Sequence, residues 1–391
     1  MKALWIPQIS SISKSSGQFL IDSDSNIITF MNYARAMHDA DIDVHILLPL
    51  EEQVDVLHET NITKHEFVKP IRVKYEKDVF LSRFRLDYDE LIRILTLEGP
   101  YDWIIMHDPA LVMDMKVLLS KVNQKETKIA TWIHWIDTPA LPKTEGYFIY
   151  AYRQLEGLMT ADIAITVSDT AYIEVCDMAD AYLTDHKARE IRKKVTVITN
   201  PIDMQLYAPY LNHKYETPTL LFNHRTSTFP LYKTNLDRFV KLATEVKAKN
   251  DVVIIMTNPT GYRINPALSD LVDMWGPFDR PEYLDMLGHK PIITAFFDHP
   301  PLWPYAHLES AALGCPQVTP RTSPYTDMFA KRYIGFYDPK QYDKATVLVN
   351  EFIENDTMFD IASTYLHKII ADNHNAELRL EDVLYEMRSA K

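Results

Sequence analysis

Short apolar runs alternate with helix-length amphipathic stretches twice along this chain of 391 residues, and this alternation constrains the fold more than any other feature. Continuous apolar runs are typical of strands that helices cover on both faces of a parallel sheet. We therefore predict an α/β protein with two Rossmann-like, doubly wound domains that face a central cleft. The runs are Ala3–Ile6, Val44–Leu48, Trp103–Met106, Ile129–Ile133, Ile163–Val167 and Val195–Ile198, and then Leu220–Phe222, Val252–Met256 and Ile292–Phe297.

A break in composition separates the two series. It follows Asn200-Pro201, and the next segment, 207–218, is polar, has two prolines and lacks apolar periodicity, as linkers do. We predict an N-terminal acceptor-binding domain over 1–205, a linker over 206–218 and a nucleotide-sugar-binding domain over 219–345. The last region, 346–391, is predicted to be helical and to cross back onto the first domain.

Charge, glycine and cysteine content exclude several classes of function. The formal net charge of −13 rules out a uniformly basic coat for nucleic acid, although a local basic groove remains compatible with it. No two of the nine glycines form G-x-G, so a dinucleotide fingerprint and a P-loop are absent, and side chains or a helix N-terminus must hold any phosphate. The two cysteines suggest a reducing compartment, the cytoplasm. No targeting segment or membrane span is expected.

The ends of the predicted strands are where a ligand is expected in such sheets. After Leu220–Phe222, the loop carries Arg225 and Lys233 and then opens a helix. An arginine and a lysine at a strand-to-helix junction are suited to clamping a diphosphate. The alternative is that both are solvated side chains on a surface loop.

A second strand end carries Glu309, in the first turn of a predicted helix with small residues after it. A carboxylate at this place can accept both hydroxyl groups of a ribose. The alternative is a glutamate that stabilises the N-terminus of its own helix. His307, two residues earlier, is a candidate contact to the sugar or the acceptor.

The segment "HLESAALGCPQVTP" resembles the nucleotide-binding helix of GT-B glycosyltransferases, the loop with Arg225 and Lys233 resembles their diphosphate clamp, and "MWGPFDRPEYLDML" resembles the elements that place the donor's base. The resemblance implies a nucleoside-diphosphate sugar as co-substrate, with UDP expected, and no bound cofactor or metal. The chain departs from the family pattern at Pro301, where a second glutamate is common, so the contact to the transferred sugar is not assigned.

Two blocks, "HRTSTFPLYK" and "PYAHLESAALGC", are similar to stretches of the DNA α-glucosyltransferases of T-even phages. That family transfers glucose with retention from UDP-glucose to 5-hydroxymethylcytosine in duplex DNA. The resemblance implies a modified base in phage DNA as acceptor and a host cytoplasm as location. His134 matches the family's strand-end histidine, but Trp135 stands where an aspartate follows it.

In the first domain, His134 and Asp137 follow the strand Ile129–Ile133 and are candidates for substrate contact or acid–base chemistry. For His134, the alternative is a histidine that the backbone satisfies in a half-buried loop. His107-Asp108 follows another strand and is a second candidate pair, although Pro109 favours a simple turn. Asp24 is either a hydroxyl contact or, as we favour, a helix N-cap.

Metal binding is not expected. Asp22-Ser23-Asp24 and Asp41-Ile42-Asp43 have the D-x-D form, but hard cations need several convergent oxygens. A DNA acceptor would instead require a concentrated basic patch. The available basic residues are Lys187, Arg189, Arg192, Lys193 and Lys194, with Arg72, Lys74 and Lys77, and the alternative for the first group is the solvated face of a helix.

These observations predict a glycosyltransferase that moves a hexose or pentose to a hydroxyl acceptor, with a hydroxymethylated base of double-stranded DNA as the expected acceptor. Two alternatives stay open. One is a GT-B enzyme that acts on a surface glycan, lipid or protein, and the other is a non-catalytic, two-lobed ligand-binding protein.

Overall fold

The computed structural model describes residues 1–13, 16–78, 83–134, 147–224, 236–257, 268–276, 278–297 and 301–390. The chain divides into two units. The first comprises Met1–Pro201 with Ala376–Lys391, and the second comprises Ile202–Asn375. In the described ranges, no helix is long and apolar enough to cross a membrane.

The first unit alternates strands with helices. Its strands are β1 (Lys2–Ile6), β2 (Asp43–Pro49), β3 (Lys69–Val73), β4 (Tyr75–Asp78), β5 (Arg83–Leu86), β6 (Trp103–Met106), β7 (Lys128–Ile133), β8 (Ile163–Thr166) and β9 (Val195–Val197). Its helices are α1 (Ser25–Asp39), α2 (Val56–Thr63), α3 (Tyr88–Glu98), α4 (Val112–Lys121), α5 (Tyr147–Thr160), α6 (Asp169–Tyr182) and α7 (Asp185–Lys194), and the C-terminal α15 (Ala376–Ser389) packs against α1.

The second unit repeats the pattern. Its strands are β10 (Thr219–Phe222), β11 (Val253–Thr257), β12 (Met274–Gly276), β13 (Ile292–Thr294), β14 (Gln317–Pro320) and β15 (Phe336–Tyr337). Its helices are α8 (Met204–Tyr207), α9 (Leu236–Lys247), α10 (Arg280–Gly288), α11 (Tyr305–Ala312), α12 (Tyr325–Phe329), α13 (Asp343–Glu354) and α14 (Asp356–Asn373).

Each unit is built around one parallel sheet. The first has the strand order β3-β2-β1-β6-β7-β8-β9 and the second β12-β11-β10-β13-β14-β15, while β4 and β5 form a separate antiparallel hairpin. The order reverses between β1 and β6 in one sheet and between β10 and β13 in the other. Parallel strands require helical crossovers that cover both faces, which confirms the predicted pair of doubly wound Rossmann-like sheets.

Most of the apolar runs fill the cores because they are buried on both faces. Trp5, Tyr33 and Trp132 are buried in the first unit, with Tyr33 edge-on to Trp132 at a centroid distance of 5.2 Å. Phe222 and Phe239 pack at 4.5 Å in the second unit. Large aromatic side chains contribute much of the apolar area that stabilises such cores. The sheets are therefore rigid supports for the residues at their edges.

Candidate functional site

The strand order locates the place where a ligand is expected in each unit. In open α/β sheets, ligands bind at the carboxyl ends of the strands, where the strand order reverses. In the first sheet this place lies at the ends of β1 and β6, and β6 is followed by His107 and Asp108. In the second it lies at the ends of β10 and β13, and β10 is followed by Asn223 and His224.

In the second unit, Glu309 lies on α11 and its carboxylate accepts three hydrogen bonds. Arg280 forms a two-pronged ion pair with it, in which Nη1 donates to Oε2 at 3.1 Å and Nη2 donates to Oε1. The hydroxyl group of Tyr207 donates to the same Oε1 at 2.9 Å. Glu309 is only 2% exposed, so this pair lies in a largely desolvated setting. A buried charge requires such partners.

This geometry argues against the helix-capping alternative for Glu309. Glu309 is the fifth residue of α11, and its carboxylate bonds to Arg280 and Tyr207 on other elements. A carboxylate has about four lone-pair sites, and these contacts use three of them. The predicted role of Glu309 at the donor ribose stays a prediction.

Beside this cluster, two histidines contact each other near the place where the strand order of the second sheet reverses. His224 follows β10, and His307 lies on α11. The Nε2 atoms of His224 and His307 lie 2.9 Å apart, and the Nδ1 of His307 lies 2.5 Å from Oε1 of Gln317. Gln317 in turn donates to the hydroxyl group of Ser310 at 2.7 Å. Burial lowers the pKa of His307 to about 4 and that of His224 well below its ordinary value. His307 is fully buried and its predicted contact with sugar or acceptor stays a prediction.

The predicted diphosphate clamp begins directly after His224. Arg225 and Lys233 themselves lie outside the described residues. The strand end that leads into the clamp is fixed, because Asn223 Nδ2 donates to the backbone oxygen of Ala306 and to the hydroxyl group of Tyr283, each at 3.2 Å. The end of β10 is thereby tied to the first turn of α11.

In the first unit, His134 follows β7 and bonds to α1. The hydroxyl group of Thr29 donates to the backbone oxygen of Ser25 at 2.8 Å, so it accepts from Nε2 of His134 at 3.1 Å. The neutral ring thus carries its proton on Nε2 and its lone pair on Nδ1. Desolvation lowers the pKa of His134 to about 3. So weak a base fits a hydrogen-bond contact better than proton abstraction.

His107 stacks on His134, with ring centroids 4.9 Å apart and ring planes at 23°. Burial, and then the neighbouring His134, lower the pKa of His107 well below its ordinary value. Among the described residues, neither of its ring nitrogens has a hydrogen-bond partner. The two histidines therefore form one neutral, stacked pair at the end of β6 and β7. Asp137, the other predicted catalytic residue, lies outside the described residues.

Asp108 and Asp24 both accept hydrogen bonds from backbone N–H groups, and Asp108 also accepts from side chains. Asp108 Oδ1 accepts from the backbone nitrogen of Ala110 at 3.0 Å, and Oδ2 accepts from Gln8 and Tyr150. Asp24 caps α1 by accepting from Asn26 at 3.0 Å. Its other oxygen accepts from the backbone nitrogens of Ser10 at 2.8 Å and Ser11 at 3.1 Å. The capping role that the sequence favoured for Asp24 is present, and the predicted contacts of both aspartates with a sugar or acceptor stay predictions.

The substitution Asp24→Ala is expected to lower the free energy of unfolding by about 2–3 kcal/mol, because it removes an N-cap and leaves the buried N–H of Ser11 without its acceptor. Asp24→Asn keeps one acceptor oxygen and should lose less. The control is Asp39→Ala, an exposed acid in the last turn of the same helix, which should change stability little. Urea unfolding measures all three, and equal losses for Asp24→Ala and Asp39→Ala would contradict the assignment.

Metal binding has no support in the part of the chain that the structure describes. No group of three or more His, Cys, Asp or Glu side chains able to hold an ion occurs there. In the first D-x-D segment, Asp22 accepts from His58 and from Asn61, while Asp24 caps α1, so the two carboxylates face different partners. In the second, Asp43 pairs with Lys69.

Of the basic residues that a DNA acceptor would use, three pair with acids in the described part of the chain. Arg72 pairs with Glu59, Lys74 with Glu76 and Arg192 with Asp180. Lys194 donates to the backbone oxygens of Met159 and Ala161. Three basic side chains of α7 are exposed, with acidic residues beside them: Lys187, Arg189 and Lys193.

No family model matches the chain, and no curated protein matches it in sequence. Several solved structures match it over nearly its whole length. A mutant of S. aureus TarM in complex with fondaparinux, alpha-GlcNAc-glycerol and UDP has a TM-score of 0.68 at 9% identity, covering 98% of this chain and 99% of that one. Anabaena HepE in complex with UDP-glucose has a TM-score of 0.68 at 12% identity, with both chains fully covered.

A third match is an alpha-glucosyltransferase in complex with UDP and a 13-mer DNA that contains an A:G mismatch. Its TM-score is 0.62 at 11% identity, and the match covers 98% of each chain. At such low identity these likenesses show the fold alone. The chain has the two-sheet fold of these glycosyltransferase structures, the GT-B fold, as the resemblance in its sequence implied.

Proposed function

We propose that this protein is a glycosyltransferase that transfers a sugar from a UDP donor to a hydroxyl group. The observation that carries the proposal is the buried carboxylate of Glu309 next to the strand ends of the second sheet. Two of the matched structures with this fold contain UDP or UDP-glucose. The remaining lone-pair site of Glu309 would accept a hydrogen bond from a ribose hydroxyl group. Arg225 and Lys233 would neutralise the diphosphate, where negative charge develops as the sugar leaves.

In the first unit, His134 and His107 are proposed to receive the acceptor. Both rings are neutral at physiological pH, because burial lowers both pKa values. They would orient a hydroxyl group through hydrogen bonds. The leaving phosphate would take the acceptor's proton, as a retaining mechanism allows. Asp137 remains a candidate for the same site on its proximity in sequence.

For the acceptor, we propose a hydroxymethylated pyrimidine of duplex DNA. The proposal is supported by the two sequence blocks that resemble phage DNA α-glucosyltransferases and by the DNA-bound structure among the matches. A glycan or polyol is the second candidate. It is favoured by the pairing of Arg72, Lys74 and Arg192 with acids, since a DNA enzyme needs free cations for phosphate contacts.

The deciding experiment measures UDP release from a panel of UDP-sugars, with and without duplex DNA that contains 5-hydroxymethylcytosine. We expect release from one donor that depends on this DNA and is absent with unmodified DNA. Release that ignores DNA would retain the transferase and refute the DNA acceptor. If no donor is turned over with DNA, glycan or polyol acceptors, the proposed function is wrong.

The double substitution Arg225→Ala/Lys233→Ala distinguishes an enzyme from a binding protein. Clamp residues act mainly on the charge of the transition state, so kcat should fall about a hundredfold or more, beyond any loss of donor affinity. The matched control is Arg332→Ala/Lys331→Ala, which removes two exposed cations just before β15. Loss of affinity with kcat unchanged would contradict the clamp.

A further inference from the structure

The second unit has a groove at the edge of its sheet opposite to the strand ends discussed above. Its volume is about 450 Å³, within the size range of small-molecule sites. Lys290 and Gly314, which immediately precede the segments that enter β13 and β14, form its floor, and His213, Ser363 and His367 lie around it. We call it the amino-edge groove.

Several polar side chains of the amino-edge groove are available to bind a ligand. Neither the ammonium group of Lys290 nor the imidazole of His213 has an ion-pair or side-chain hydrogen-bond partner in the described ranges of the chain, and the same holds for the hydroxyl group of Ser363. His367 donates from Nδ1 to the backbone oxygen of Ala312 at 2.6 Å. This bond does not involve Nε2, the other ring nitrogen. The groove is thus lined by a lysine, two histidines and a serine hydroxyl group.

Carboxylates do not line the groove in the described part of the chain. The lining residue Asn212 donates to the carboxylate of Asp285 at 3.1 Å, and this carboxylate lies 4.0 Å from Nε2 of His289. Asp285 is itself 62% exposed. A site that is lined by a lysine ammonium group and by further hydrogen-bond donors, with no acid among its lining residues, favours an anion.

The backbone at Lys290 gives an independent argument. Lys290 and Gly314 each follow the C-cap of a helix, α10 and α11, and both have left-handed φ angles of 58° and 78°. Glycine is the usual residue at such a position. At Gly314 it is required, because a Cβ would lie 2.9 Å from Oγ of Ser363. At Lys290 the chain keeps a long basic side chain where its backbone would favour glycine.

The side chain of Lys290 extends over Gly314, since its Cε lies 3.7 Å from the position of a Cβ there. We propose that the amino-edge groove binds a small molecule through a phosphate group, with Lys290 as its cationic contact and His213 and Ser363 as hydrogen-bond donors. Ammonium groups bind phosphate as point charges, and the hydroxyl group adds a directional bond. The volume leaves room for an organic part beside the phosphate. This site is separate from the proposed donor site.

The test is equilibrium dialysis with radiolabelled inorganic phosphate on the full chain that carries Arg225→Ala/Lys233→Ala, so that the proposed clamp does not contribute. One saturable site is expected, and Lys290→Gln in this background should weaken it about tenfold or more, as expected for a lost charge-assisted hydrogen bond. Lys249→Gln, at an exposed lysine of the same unit, should leave it unchanged. Glucose 1-phosphate in a parallel arm distinguishes the sources: tighter binding assigns a phosphomonoester, and equal binding assigns free phosphate.

A second variant separates binding from folding. Lys290→Gly removes the ammonium group and relieves the left-handed backbone, so it should be at least as stable as the parent and still lose phosphate. Unchanged phosphate affinity in Lys290→Gly, or no saturable binding to the parent, would overturn the proposal. Because neither outcome involves a UDP-sugar, the result is independent of the proposed transferase activity.

Discussion

Replacement of Glu309 by alanine is expected to abolish donor turnover and to lower the free energy of unfolding of the second unit by about 3–5 kcal/mol. The carboxylate is 2% exposed and carries the two-pronged ion pair with Arg280 and the bond from Tyr207. Without it, the guanidinium group of Arg280, whose side chain is 16% exposed, is left without its buried counter-charge. Removing one member of such a pair costs about this amount.

Three further variants separate the charge from the hydrogen bonds. Glu309→Gln keeps the shape and an acceptor oxygen, and should lose less stability than alanine. Arg280→Met leaves the carboxylate buried with Tyr207 alone, and should destabilise the unit as strongly as Glu309→Ala. The double variant Glu309→Gln/Arg280→Met leaves no unpaired charge, so its loss should be smaller than the sum of the two single losses.

Urea unfolding and UDP release measure both consequences, with Glu354→Ala, at an exposed glutamate of α13, as control. Two results would count against the assignment. If Glu309→Ala unfolds like the control, the ion pair is not buried in solution. If the protein stays folded and turns over donor at the normal rate, Glu309 is not at the donor.

Much of the fold was predictable because its central strands are continuous apolar runs. Trp103–Met106 is a strand in the structure with the predicted bounds, and the amphipathic pattern predicts a helix over Asn26–His38, where α1 runs from Ser25 to Asp39. The edge strand β3 was missed for a physical reason. β3 has the sequence KPIRV and lies at the edge of its sheet, so it is largely exposed and shows no apolar run.

The two short strands at the other end of the second sheet were also missed. β14 is buried along its length but has the sequence QVTP, and its glutamine side chain is satisfied by hydrogen bonds with His307 and Ser310 that only the fold supplies. β15 has two residues. Neither contains a pattern long enough to distinguish a strand from a loop.

For the candidate site, the sequence identified Glu309 but neither of its partners. Tyr207 and Arg280 are 102 and 29 positions away from it, and no local pattern connects them. One signal was available for Arg280. It is the first residue of α10, where the helix dipole disfavours a cation, so its charge needs an acid on another element. His224, which stands at the end of an apolar strand, was likewise part of a quoted loop and was not singled out.

Acidification is expected to destabilise the folded protein. Stability is expected to fall by about 4 kcal/mol between pH 7.5 and pH 5 from His134 and His307 alone. Burial lowers their pKa values to about 3 and about 4, whereas an unfolded histidine titrates near 6.5. The unfolded chain therefore binds protons that the folded chain refuses as the pH falls below 6.5. Each histidine then costs about 2 kcal/mol at pH 5.

The pH range of this loss follows from the same pKa values. The contribution is fully present above pH 6.5, declines below it, and is lost as the pH falls through about 4 for His307 and about 3 for His134. His107 and His224, whose pKa values burial also lowers, act in the same direction. Carboxylates add their own acid sensitivity, so the quantity to compare is the difference between variants.

His307→Gln isolates one histidine because glutamine cannot titrate. This variant is expected to be less stable than wild type at pH 7.5, since it loses the ring contacts, but its further loss between pH 7.5 and pH 5 should be about 2 kcal/mol smaller. His186→Gln, at a side chain that is 78% exposed, should keep the wild-type pH dependence. Urea unfolding at both pH values decides the matter: if His307→Gln and His186→Gln lose equal stability on acidification, His307 is not held neutral in the folded protein.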